Sequence, residues 1–140
     1  MPRFLLDTNI VTAGLAPRPD ARLLRILDER SHDCVTAAPV IHEIRYGIGL
    51  LEPSRRREAI ERYLSDVILA TYPVLPYDAR AADWHGKERA RLRQVGTEPP
   101  YVDGLIASIA KVANLTLVTT NVRDFRRYAG LRVENWRAKS

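Results

Sequence analysis

The stretch Phe4-Leu5-Leu6-Asp7-Thr8-Asn9 constrains the fold most strongly, because a short apolar run ends abruptly on a carboxylate. A run of that length suits a buried strand and is too short for a helix. An acid at its end comes out at the edge of a sheet, where ligands of open α/β folds bind. Asp7 is therefore read as the first ligand of a metal site. With Thr8 or Asn9 near its cap, a helix should follow over residues 8–15, stopped by Pro17-Arg18-Pro19.

The alternation continues along the chain. A helix opens at Asp20 with Leu23, Leu24 and Leu27 on one face, and Cys34-Val35-Thr36-Ala37-Ala38 reads as a second buried strand. Pro39 suits the first turn of a helix carrying Val40, Ile41, Ile44, Ile48 and Leu51, with Glu43 among them and Pro53 as its stop. Ser54 then precedes Arg55-Arg56-Arg57 and a long amphipathic helix, with Ile60, Tyr63, Leu64, Val67 and Ile68 expected on its buried side. Residues 73–76 can form only a minimal strand, Asp78 caps a helix to about Gln94, and residues 96–100 are a loop by their Gly and Pro content. The helix from Tyr101, apolar almost all round, belongs in the core with Asp103 in its first turn. Asn114 ends it, residues 115–120 read as a strong strand, and a polar segment through Asn121 and Asp124 leads to a final short strand over Leu131–Glu134. The whole predicts an α/β fold in a single domain over residues 1–140. A central, mostly parallel sheet of about four to five strands would be flanked on both faces by helices. Right-handed crossovers would bring the ends of these strands to one edge.

Composition narrows the class of function. With 46% hydrophobic and 28% charged residues the chain is typical of a folded soluble protein, and its 22 basic against 17 acidic residues leave a formal net charge of +5. Apart from Lys87, Lys111 and Lys139 the basic residues are arginines, whose planar donors suit phosphate. An Arg-rich genome would produce the same bias, so charge alone does not choose. Cys34 is the single cysteine, which fits a reducing compartment. With no signal-like segment and no apolar run of about 20 residues, a cytoplasmic protein without a membrane span is expected.

Asp7, Glu43, Asp103 and Asp124 can all reach the edge where the strands end. Each has an ordinary structural explanation: Asp7 as a cap, Asp103 as a first-turn acid, Asp124 as a turn residue. Glu43 resists one, because Ile41, Ile44 and Ile48 place it beside an apolar face, where an unpaired carboxylate is costly. Carboxylates that converge repel one another unless a cation lies between them. An all-oxygen set suits Mg²⁺ or Mn²⁺; zinc would call for His or Cys, and His32, His42 and His85 form no ligand pattern. Such an ion can activate a water for attack on phosphorus, so hydrolysis of a nucleic-acid backbone is the simplest reaction.

These segments resemble the PIN-domain ribonucleases of the VapC type, the toxin halves of bacterial toxin–antitoxin pairs. The similarity runs from Phe4–Asn9 through Ile41-His42-Glu43-Ile44-Arg45-Tyr46-Gly47 and Asp103-Gly104-Leu105-Ile106-Ala107-Ser108. It continues into Thr119-Thr120-Asn121-Val122-Arg123-Asp124-Phe125 and closes on Gly130–Trp136. The resemblance implies a PIN-like three-layer fold and a Mg²⁺ site of Asp7, Glu43, Asp103 and a fourth group. Asp124 is favoured there for its charge, with Asn121 or Thr119 holding a water. It further implies a homodimer, a cognate antitoxin as partner and a structured RNA such as tRNA as substrate. Arg45, Arg55, Arg56, Arg57 and the arginines at 89 to 93 are candidates for RNA backbone contacts, with a solvated basic face as the favoured plain reading. Two positions depart from the pattern, Val40 where Thr is common and Ser108 where Ala is usual, and neither touches a proposed ligand.

Three rival readings share the opening strand or its acids. A haloacid-dehalogenase-like phosphatase would use Asp7 as nucleophile and needs an acid where Asn9 stands. A receiver-like signalling domain needs paired acids after the first strand, where only Asp7 is present. A non-catalytic RNA-binding domain would not concentrate negative charge.

Overall fold

The computed structural model describes residues 1–137; the end of the basic tail lies outside them. Its sheet has five strands in the order β3-β2-β1-β4-β5. These are β1 (Phe4–Leu6), β2 (Cys34–Ala37), β3 (Val74–Leu75), β4 (Thr116–Val118) and β5 (Val133–Glu134). Every pairing is parallel. All three residues of β1 are buried, which requires cover on both faces and a strand on either side, and β1 is the centre of the sheet. Leu6 pairs in register with Val118, so Asp7 and Thr119 leave the sheet side by side.

The flanking helices are α1 (Thr8–Val11), α2 (Ala21–Arg30), α3 (Ala38–Gly49), α4 (Arg55–Tyr63), α5 (Leu69–Thr71), α6 (Ala79–Gln94), α7 (Tyr101–Val112) and α8 (Val122–Phe125). α7 buries Ile106, Ala107, Ile109 and Ala110. It ends on Asn114, whose positive φ of 58° is a left-handed stop, and Arg132 donates to both the side-chain and the backbone oxygen of Asn114. Among the described residues no helix is long and apolar enough to cross a membrane.

Several elements differ from the sequence expectation. The helix expected over residues 8–15 is only α1 followed by a 3-10 turn at Ala13–Leu15, and its cap is Asp7 instead of Thr8 or Asn9. Thr12 contributes to the break, donating its hydroxyl to the Thr8 carbonyl at 2.7 Å. The long helix after Ser54 is interrupted by a π turn at Leu64–Ile68. That wider turn keeps Leu64 and Ile68 in the core and swings Val67 outward to 41% exposure, so Val67 is not on the buried side. The polar segment after Asn121 is the single turn α8, and the last two strands are shorter than expected, since β4 pairs only over Thr116–Val118 and β5 only over Val133–Glu134.

Candidate active site

Asp7 stands at the exit of the central strand, 7% exposed, and both of its oxygens are engaged. Oδ1 accepts the Thr8 N–H at 2.8 Å, a consequence of capping α1. Oδ2 accepts the Thr119 hydroxyl at 2.8 Å, and Thr119 in turn accepts the Asn121 N–H at 3.0 Å. Thr119 is wholly buried, and the bond from its hydroxyl orients Asp7. Asn9, whose sequence position suggested a cap, accepts the Thr120 N–H at 3.4 Å and ties α1 to the loop after β4.

Glu43 comes from the second turn of α3 and Asp103 from the first turn of α7. Thr8 donates its hydroxyl to Glu43 at 3.3 Å, linking the two acids through a residue that the sequence suggested only as a helix cap. Its place directly after Asp7 was the available signal. The Asp103 carboxylate makes no hydrogen bond or ion pair among the described residues, while its backbone N–H donates to the Pro100 carbonyl at 3.1 Å. Its first-turn position is therefore not used for capping.

The acids sense one another. Burial raises the Asp7 pKa, opposed by its hydrogen bonds from Thr119 and Thr8. Burial and then the Asp7 charge raise that of Glu43. Asp103 is pushed up to about 6, first by burial and then by the charges of Asp7, Glu43 and Asp124. Acids from the exit of β1, from α3 and from α7 thus share one negative field. Asp124, on α8, is half-exposed and lies 3.6 Å from Arg127. Among the described residues no group of three or more His, Cys, Asp or Glu side chains already forms a coordination cluster. The acids couple through their charges, most widely at Asp103, which senses Asp7, Glu43 and Asp124.

A model of the PIN domain matches residues 4–131. The chain belongs to the PIN-domain family. Relatives of this PIN domain include the tRNA(fMet)-specific endonuclease VapC of Shigella flexneri, 34% identical, the alignment covering 97% of this chain and 99% of that one. Ribonuclease VapC2 of Rickettsia felis is 31% identical over 95% of this chain and 97% of its own. Among solved structures, FitAB bound to an IR36 DNA fragment superposes with a TM-score of 0.86 at 28% identity, covering 98% of both chains. The protein is a PIN-domain nuclease of the VapC type.

A hard, all-oxygen donor set with raised carboxylate pKa values is what a divalent cation would relieve, so the residues of this PIN domain fit Mg²⁺ or Mn²⁺. Asn9 and Arg56 line a hollow of about 420 Å³ between α1, α2 and α4, which none of the four acids lines. The other candidate cations are less available. Arg57 is held by Glu61 and the Leu51 carbonyl, Arg89 by Glu98 and Arg91 by Glu88. Arg45 and Arg55 are exposed and make no ion pair among the described residues.

Proposed function

We propose that this nuclease is a Mg²⁺- or Mn²⁺-dependent endoribonuclease whose metal is held by Asp7, Glu43, Asp103 and Asp124. The observation that carries the reading is the shared field of Asp7, Glu43 and Asp103, which three separate elements deliver to one edge of the sheet. When bound, the metal supplies a water of lowered pKa and stabilises charge developing on the phosphodiester. The chain's own residues do the rest. Thr119 and Thr8 fix the direction of Asp7, Thr8 restrains Glu43, and Asn9 holds the loop that leads to Asn121 and Asp124. Arg56, in the hollow that Asn9 also lines, and the exposed Arg45 and Arg55 would meet the RNA backbone.

A nucleophilic role for Asp7 is disfavoured, because no second acid stands at Asn9. By analogy with the named relatives, the substrate is a structured RNA such as tRNA and the chain is the toxin of a cytoplasmic pair restrained by its antitoxin. The test is cleavage of total RNA with mapped ends, with and without EDTA, for the native chain and for Asp7→Asn, Glu43→Gln and Asp103→Asn. Loss of cutting in EDTA and in each folded variant is the expected result. Full activity in any variant would remove that residue from the site.

A further inference from the structure

Two buried polar side chains on α6, His85 and Glu88, take no part in the reaction proposed above; His85 lies against the backbone next to Asp103, and Glu88 holds the backbone of the loop after Asp124. His85 shares a 3.0 Å hydrogen bond with the Tyr77 hydroxyl through Nδ1. Its ring lies so close to Gly104 that a Cβ there would overlap Nε2, and Gly104 follows Asp103 directly. One turn along, Glu88 accepts the Ala129 N–H at 2.6 Å and the Arg91 guanidinium at 2.5 and 2.9 Å. Arg91 also donates to the Arg127 carbonyl at 3.0 Å, and Arg127 pairs with Asp124.

Gluing a helix to a loop needs only apolar contact, which would spare the desolvation of a carboxylate. A charged fork adds direction, because its hydrogen bonds hold only while the backbone at 127 and 129 keeps its place. We infer that His85 and Glu88 together set the separation of Asp103 from Asp124, and that Glu88 is a positioning residue for the metal site. The inference rests on the metal reading of these acids.

The experiment measures Mn²⁺ binding to the full chain by the EPR signal of the free ion, beside steady-state cleavage of RNA. Glu88→Gln keeps the volume and removes the charge. It should weaken Mn²⁺ binding about 10-fold and lower kcat similarly, with KM for RNA unchanged. Arg91→Lys, whose side chain is 45% exposed and tolerant of change, should act in the same direction and carries the test if Glu88→Gln does not fold. Leu92→Ala, a core truncation on the same helix, should lower the melting temperature yet leave Mn²⁺ affinity within about twofold. Native affinity in the folded Glu88 and Arg91 variants would overturn the inference while leaving the metal reading standing, as would an equal loss in Leu92→Ala. Absence of Mn²⁺ binding by the native chain would instead overturn the metal reading, and the inference with it.

Discussion

The Thr119 hydroxyl donates to Asp7 at 2.8 Å across 112 residues of sequence, joining the exits of the central strand β1 and its neighbour β4. This bond gives the acid at the centre of the sheet a fixed direction before any ligand arrives. It also offsets part of the burial that raises the Asp7 pKa.

Thr119→Val preserves shape and removes that donor. It should lower kcat by roughly 10- to 100-fold, as expected for loss of an outer-shell partner, and destabilise the chain by about 1–3 kcal/mol. Thr119→Ser should restore most of both. Single-turnover cleavage and chemical denaturation are the measurements; a Val variant as active as the native chain would show that Asp7 needs no such hold.

The pKa of Asp103 at about 6, above its ordinary 3.8, makes a statement about stability. The folded chain holds this proton more tightly than the unfolded one, so the contribution is fully present below about pH 3.8 and is lost as pH rises through 6. In EDTA at pH 7.5, Asp103→Asn should therefore melt about 3 °C higher than the native chain while losing cleavage. The gain should vanish near pH 4. A lower melting point at pH 7.5 would mean that the acids do not strain the metal-free fold.

Gly104 and Gly86 lie on neighbouring helices with opposite surroundings. A Cβ at 104 runs into the His85 ring, whereas at 86 nothing stands within 4 Å. Gly104→Ala should cost about 1–3 kcal/mol and reduce cleavage by displacing Asp103. Gly86→Ala should stabilise α6 by about 0.5–1 kcal/mol with activity unchanged. Thermal melts of the two variants decide, and equal effects would refute the close packing of His85 on α7.

Arg56 lines the hollow beside Asn9, and Arg57 beside it is tied to Glu61 and Leu51. Arg56→Ala should weaken binding of a non-cleavable RNA and reduce the slope of log K against log salt by about 1. An unchanged slope would place the RNA path elsewhere.

The alternation of strands and helices was legible because each buried strand must be apolar on both faces, as Phe4–Leu6 and Thr116–Val118 are. Glu43 stood out in the sequence because a carboxylate beside an apolar helix face is costly without a partner, whereas Asp7 and Asp103 taken singly had ordinary explanations as a cap and a first-turn acid. The outward turn of Val67 was not, since a π turn leaves the helical period of the sequence intact. Thr8 reads only as a helix cap, and Glu88 as one more surface acid on a charged helix.

The sequence by itself determined which residues could form the sheet and which acids could reach its edge, because periodicity and burial are local properties. Tertiary structure alone decided how Asp7 is oriented, how strongly Asp103 senses its neighbours, and that Glu88 reaches the loop after Asp124. Hydrogen bonds and charge coupling depend on distances between segments far apart in the chain. Those distances exist only after β1 has taken its place between β2 and β4.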